Sequence, residues 1–264
     1  MQIESYPLPK ALSVLIKDGS ATKMDAPYSG ASTYRIELAT GSRAYLKRLP
    51  VPHREPLELY RKKLSWLANK APVPEVLHYT GDERQEWLLM SEMAGVDGTD
   101  PIFQPNPEAL IRKFAQALKL LHCVDIRHCP FDYTLDTQLT RIAARYEAGL
   151  LDAGTIEEAF EGERYEDLYR MLMSKRHSED LVFTHGDYTV PNVIFTKDGA
   201  LSGFIDMAEA GIADRYRDLA VAHFSVIRNF GEAWTGVFHE EYGIPEVDRE
   251  KINYYDVLEA FWCN

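Results

Sequence analysis

The stretch His185-Gly186-Asp187-Tyr188-Thr189-Val190-Pro191-Asn192, followed fourteen residues later by Asp206, constrains this 264-residue chain more than any other feature. Apolar runs flank it on both sides. Leu181-Val182-Phe183 leads into His185, Val193-Ile194-Phe195 follows Asn192, and Leu201-Ser202-Gly203-Phe204-Ile205 ends on Asp206. Asp198-Gly199 sits between the last two runs and is a strong hairpin signal, because glycine takes the positive φ a tight turn needs. The pattern therefore places Asp187 and Asn192 on a loop before a hairpin, and Asp206 at the hairpin's far end. Taken singly, each is an ordinary turn-former or strand terminus. Together they supply one carboxylate to hold an acceptor hydroxyl, and an amide and a second carboxylate to hold magnesium on a nucleotide.

Other segments carry weaker signals. Pro7 to Lys17 reads as a short helix. Tyr28 to Ser32 is small and polar, and Thr33 to Leu38 alternates like a strand. A turn around Ser29 lets backbone N–H groups approach phosphates, or serves simply as a hairpin turn. Ala44-Tyr45-Leu46-Lys47 is the next strand, Leu57 to Asn69 is helical by pattern, and Glu86 to Glu92 is a strand running into a connector. Gly95 to Pro101 breaks regular structure, which places a boundary near Met93 to Gly98 and divides the chain into 1–95 and 96–264. Beyond it, Pro107 to His122 is amphipathic, and helices are expected over 135–151, 164–174, 218–230 and 248–262.

Charge and composition exclude some function classes. The net charge of −12 and the lack of a basic patch argue against nucleic acid as a partner. No apolar run reaches the length of a membrane helix, and Met1 to Ser5 does not open a signal peptide, so a cytoplasmic protein is expected. Cys123, Cys129 and Cys263 are an odd count without metal-type spacing. The acidic run Glu157 to Glu163 is either a solvated face or an attractor for a polycation.

His185 to Asn192, Ser202 to Asp206 and Ala213-Asp214-Arg215-Tyr216-Arg217-Asp218-Leu219-Ala220 together resemble the aminoglycoside phosphotransferases, specifically those acting on the 3′-hydroxyl. Ala44 to Lys47, Trp66-Leu67, Pro72-Val73-Pro74, Leu88 to Glu92, Leu120-Leu121-His122 and Asp125-Ile126 fall in the same order as in that family. The resemblance runs from about Tyr28 to the end. It implies an α+β, protein-kinase-like fold of two lobes, a small β-rich N-terminal one and a larger, mainly helical C-terminal one. It implies ATP and Mg2+ as cofactors and an aminoglycoside as substrate, with resistance as the outcome. By the same resemblance Asp187 is the catalytic residue and Asn192 and Asp206 hold the metal. Ser29, Tyr45, Lys47, Ser91 and Met93 serve the nucleotide, and Glu158, Glu161 and Glu259 face the substrate. His185 is read as a loop organiser, with Asp214, Arg215 and Asp218 bracing the loop.

Three positions depart from the family pattern. The lysine's usual glutamate partner is replaced by Tyr60, and Glu58, two residues earlier, points about 200° away around a helix. Glu209 stands where an arginine is usual, and the C-terminal acidic pair appears as Glu259-Ala260. These departures leave open a kinase of another small hydroxyl compound, or a weakly catalytic nucleotide-binding homologue. Oligomeric state is not legible.

Overall fold

Strand Arg43–Pro50 alternates in burial from Arg43 to Arg48, and that alternation sorts its side chains onto two faces. Ala44 and Leu46 turn into a core with Tyr34, Ile36, Trp87, Leu89, Leu8, Leu12 and Ile16. Tyr45 and Lys47 share the opposite face. The computed structural model that shows this describes residues 2–3, 6–17, 20–24, 31–51, 56–160 and 162–263. The chain forms two compact units, residues 1–95 with 202–208, and 96–201 with 209–264. A single cut at residue 95 does not anticipate that 202–208 group with the first unit.

The first unit is built on a five-stranded antiparallel sheet. Its order is Thr22–Lys23, Ser32–Glu37, Arg43–Pro50, Gln85–Ser91, Val76–Gly81. Lys47 lies opposite Thr33 on one side and Leu88 on the other, and Tyr45 opposite Arg35 and Met90. Helix Leu57–Leu67 packs on Gln85–Ser91 and Val76–Gly81, burying Leu57, Tyr60, Lys63, Leu64 and Leu67. Pro56 gives this helix no side-chain cap. Its first N–H groups are met instead by the buried carboxylate of Glu86, which accepts from Leu57 N at 2.7 Å and Glu58 N at 3.3 Å. A negative charge there also interacts favourably with the positive N-terminal end of the helix dipole. The N-terminal helix covers only Lys10–Ser13, shorter than the sequence suggests. Pro9 starts it, and the bridge of Ile16 to Leu38 draws the chain back to extended structure.

The second unit is mostly helical. Helix Pro107–His122 begins where expected because Asn106 Oδ1 accepts from Ala109 N and Pro107 occupies the first helical position. It buries Leu110, Ile111, Phe114, Ala115, Ala117, Leu118 and Leu121. A fully buried side chain such as Phe114 is worth about 1.5–3 kcal/mol of transfer free energy. Helices Leu135–Glu147, Tyr165–Ser174, Tyr216–Phe230 and Arg249–Cys263 stand close to their expected bounds. Helix Thr235–Tyr242 does not declare itself in the sequence, since two of its three buried residues, His239 and Tyr242, are polar. Two short antiparallel pairs frame the loop that carries Asp187. Leu181–Thr184 pairs with Gly211–Asp214, and Val193–Phe195 pairs with Val96–Asp97. No helix among the described residues is long and apolar enough to cross a membrane.

Candidate active site

The loop from His185 to Asn192 is anchored from below by a buried carboxylate. Asp218, in the first turn of helix Tyr216–Phe230, accepts from His185 N at 2.7 Å and Gly186 N at 2.8 Å. A third bond joins it to His122 Nε2 at 3.0 Å. With the His122 proton on Nε2, Nδ1 accepts from Tyr242 Oη at 2.8 Å, and Arg215 donates to that same hydroxyl at 3.0 Å. Burial opposes charge on Asp218, but the His122 bond and the further donors outweigh it and hold its carboxyl below the usual range. Asp214 ties the neighbouring backbone, accepting from Asp180 N, Tyr216 N and Lys251 Nζ. Arg215 pairs with Asp180 at 2.8 Å. Asp214, Arg215 and Asp218 thus all stand within the framework around the loop.

Gly186 sits at φ +87°, and a Cβ there would collide with the backbone carbonyl of Glu209. Only glycine suits both demands. The loop next directs Asp187, whose N–H points to His185 Nδ1 at 3.3 Å. Asn192 Nδ2 donates to Asp187 Oδ2 at 2.8 Å and to its backbone carbonyl at 2.9 Å. Tyr188 locks the far side: it is fully buried, stacks on Phe114 with centroids 4.6 Å apart, and donates to the Phe114 carbonyl. Asp187 and Asn192 are therefore held together on a rigid base.

In the first unit, Lys47 Nζ pairs with Asp206 Oδ1 at 2.5 Å and lies 5.0 Å from the centre of the Tyr60 ring. Glu58 is engaged instead with Arg61 at 2.8 Å and Lys62 at 3.4 Å. Tyr60 thus takes the place of the usual glutamate as an aromatic floor under the ammonium group, a cation–π contact. Asp206 adopts φ +59°, which is uncommon outside glycine and costs on the order of 1–3 kcal/mol. Three side chains hold it there. Lys47 binds its carboxylate, the backbone N–H groups of Asp206 and Met207 face the Tyr60 hydroxyl, and the buried Lys63 donates to the Ala208 carbonyl. Burial pushes the Tyr60 hydroxyl up to about 12, with Lys47 opposing. Lys63 was not singled out in the sequence, since a lysine on an amphipathic helix reads as a surface residue.

Tyr45 stands on the Lys47 face of the sheet, and burial raises its hydroxyl above the ordinary value. Ser91 N–H is spent on the Glu75 carbonyl at 2.9 Å, so any reading of a base edge by Ser91 falls to its carbonyl, a narrower role than expected. Met93 packs against Gly203, where a Cβ would collide with the Met93 methyl group. Ser29 lies outside the described residues, as does Glu161.

Of the acids expected to face a substrate, Glu158 is exposed on helix Ala153–Ala159, which packs against Arg249–Cys263, the helix of Glu259. Glu259 lies 3.8 Å from Arg217 Nε, and Glu209 lies 3.8 Å from Arg217 Nη2. Trp262 Nε1 donates to Glu209 Oε2 at 2.8 Å. Burial raises the Glu259 carboxyl to about 7, against the pull of Arg217 and with a push from Glu209 and Asp187. Arg217 has no assigned role in the sequence reading. Its signal is only retrospective: an arginine at 217 accompanies an acid at 209.

Asn192 spends its amide nitrogen on Asp187, which leaves its side-chain carbonyl oxygen as the atom it could offer to a cation, and Asp206 keeps a side chain 44% exposed. Both offer hard oxygen atoms, the type magnesium takes. Among the described residues no cluster of three or more His, Cys, Asp or Glu is arranged to hold a metal alone. Magnesium commonly uses one or two protein oxygens and completes its shell with phosphate and water.

A model of the phosphotransferase enzyme family matches residues 26–255. The aminoglycoside 3′-phosphotransferase of Niallia circulans is 35% identical over 257 residues, spanning 96% of this chain and 97% of the relative. That of Enterococcus faecalis is 32% identical over 258 residues, spanning 95% and 97%. Among solved structures, an aminoglycoside-3′-phosphotransferase of type VIII superposes with a TM-score of 0.78 at 26% identity, covering 92% of this chain and 94% of that one.

Proposed function

The chain belongs to the phosphotransferase enzyme family, and on that premise we propose that it transfers the γ-phosphoryl group of ATP to the 3′-hydroxyl of an aminoglycoside, an activity that confers resistance. The observation that carries this reading is the Asp187–Asn192 pair on a loop fixed by Asp218. The two relatives similar over nearly their whole length, both 3′-phosphotransferases, support it.

Each residue has one task. Asp187 accepts a hydrogen bond from the acceptor hydroxyl and aims its oxygen at the γ-phosphorus. As the new O–P bond forms and the bond to ADP breaks, the hydroxyl proton passes to the Asp187 carboxylate. Lys47 steadies the α- and β-phosphates, exchanging its contact with Asp206 for one with phosphate oxygens. Asn192 and Asp206 would hold magnesium, which would supply charge neutralisation on the phosphates. Tyr45 supplies a stacking face for the base. Glu158 and Glu259 recognise ammonium groups of the acceptor. Positioning and fixed charge supply most of the rate, so Asp187 need not be a strong base.

The test is ADP release with magnesium-ATP and, in turn, kanamycin, neomycin, butirosin, tobramycin (which lacks the 3′-hydroxyl) and no acceptor. Turnover with the first three and not with tobramycin supports the reading. ATP binding without turnover on any of them refutes it and favours another hydroxyl acceptor, a reading that Ala260 in place of the second acid would then explain.

A further inference from the structure

The acceptor side lacks a carboxylate at residue 260, where Ala260 stands. The fold supplies another from a distant part of the chain. Glu209 packs directly on Gly186, one residue before Asp187, so its backbone forms the wall against which the catalytic loop turns. Its carboxylate is oriented by the indole of Trp262 at 2.8 Å, on the same helix as Glu259 and three residues beyond it. The two acids face one guanidinium. Arg217 is 1% exposed, donates Nη1 to the Glu209 carbonyl at 2.9 Å, and lies 4.8 Å from the centre of the Tyr133 ring.

The geometry of this cluster differs from that of a structural ion pair. A buried arginine serving stability alone usually meets a carboxylate in a paired, short contact near 2.7–2.9 Å, as an order of magnitude for charge-assisted bonds. Here both carboxylates stand at 3.8 Å, and Arg217 Nε and Nη2 are buried with no hydrogen-bond partner among the described residues. When both acids are ionised, one guanidinium between two carboxylates leaves a net negative charge, and Asp187 is close enough to act electrostatically on Glu259. The exposed Arg141 lies over the rings of Tyr133 and Trp262 and adds a positive charge that solvent screens.

We propose that Glu209 is a specificity-determining residue that, with Glu259, receives one ammonium group of the acceptor beside the reacting hydroxyl, and that Arg217 is the positioning residue that sets the two carboxylates apart. The inference rests on the aminoglycoside reading above. It identifies the preferred acceptor as one bearing an amine near the phosphorylated hydroxyl, with Glu209 doing the work of the acid absent at 260.

The test is steady-state kinetics with kanamycin and magnesium-ATP on wild type, Glu209→Gln, Arg217→Gln and Arg217→Lys, with melting temperatures recorded for each. Glu209→Gln keeps the acceptor for Trp262 and removes only charge. Its KM for kanamycin rises about 10- to 100-fold, on the scale of a lost bond to a charged group. Its kcat stays within about twofold and its KM for ATP is unchanged, the pattern of lost acceptor binding. Arg217→Gln raises the same KM and Arg217→Lys recovers part of the loss; if Arg217→Gln does not fold, Glu209→Gln and Arg217→Lys decide. An unchanged kanamycin KM in a well-folded Glu209→Gln protein, with wild type active, overturns this inference and leaves the proposed function standing. Wild-type inactivity on every aminoglycoside overturns both.

Discussion

Replacing Asp218 by asparagine is the sharpest probe of how this fold holds the loop that carries Asp187. The wild-type carboxylate accepts three bonds, from His185 N, Gly186 N and His122 Nε2, at 2.7, 2.8 and 3.0 Å. It is fully buried, so water cannot replace a lost partner. Asparagine keeps the shape but offers one acceptor oxygen and one NH2 group. If the oxygen faces His185 N and His122, the NH2 group meets Gly186 N–H donor to donor. One bond to a charged group disappears, worth about 1.5–3 kcal/mol, and one buried donor is left unmet at about 1–3 kcal/mol. A net loss of about 3 kcal/mol corresponds to a fall of about 6–12 °C in melting temperature for a chain of this size. The loop is also freed to shift, and displacing Asp187 by about 1 Å costs about 100-fold in turnover. Differential scanning calorimetry and ADP-release kinetics read the two effects. A variant that melts within about 2 °C of wild type, against the scale above, and keeps its kcat would refute the idea that Asp218 holds the loop.

Four further outcomes follow from the same geometry. Asp187→Ala keeps ATP affinity and lowers kcat about 100- to 10,000-fold, the range for a positioned proton acceptor, checked by calorimetric titration beside kinetics. Gly186→Ala forces a side chain into the Glu209 carbonyl at a φ of +87°, and lowers both melting temperature and kcat. Lys63→Met keeps the bulk of a buried side chain but loses the bond to the Ala208 carbonyl; the KM for ATP rises as Asp206 loses support, measured at fixed saturating acceptor. The Glu259 carboxyl stands at about 7 against a usual 4.5, so it is largely neutral at pH 6 and ionised at pH 8. Acceptor KM therefore falls as pH rises across that window while the acceptor amine stays protonated, and a flat profile would count against Glu259 as a substrate contact. The sign for stability is opposite: a carboxyl with a raised folded pKa loses its contribution as pH rises from 4.5 towards 7.

Much of the candidate site's local geometry was legible in the sequence because it is written in neighbouring residues. Asp187, Asn192 and their flanking strands lie within one short segment, and the Asp-Gly turn and the apolar runs specify its geometry without distant partners. Helix Pro107–His122 was equally legible, since its cap, its proline and its apolar stripe are all encoded in consecutive residues. Strand Gly211–Asp214 was not, because it is defined by pairing with Leu181–Thr184 some thirty residues earlier. Tertiary structure alone decided who partners Lys47. Tyr60 appeared as a defect in the motif, yet the fold brings Asp206, 159 residues along the chain, to the ammonium group and sets the tyrosine ring beneath it. The same holds for Glu209, Arg217 and Glu259, with the Trp262 indole on Glu209: the charges are visible in the sequence, but the balance of attraction and desolvation exists only once burial brings them together. Local periodicity and turn chemistry are written in neighbouring residues, whereas the electrostatics of a buried site depends on distances that only the folded chain sets.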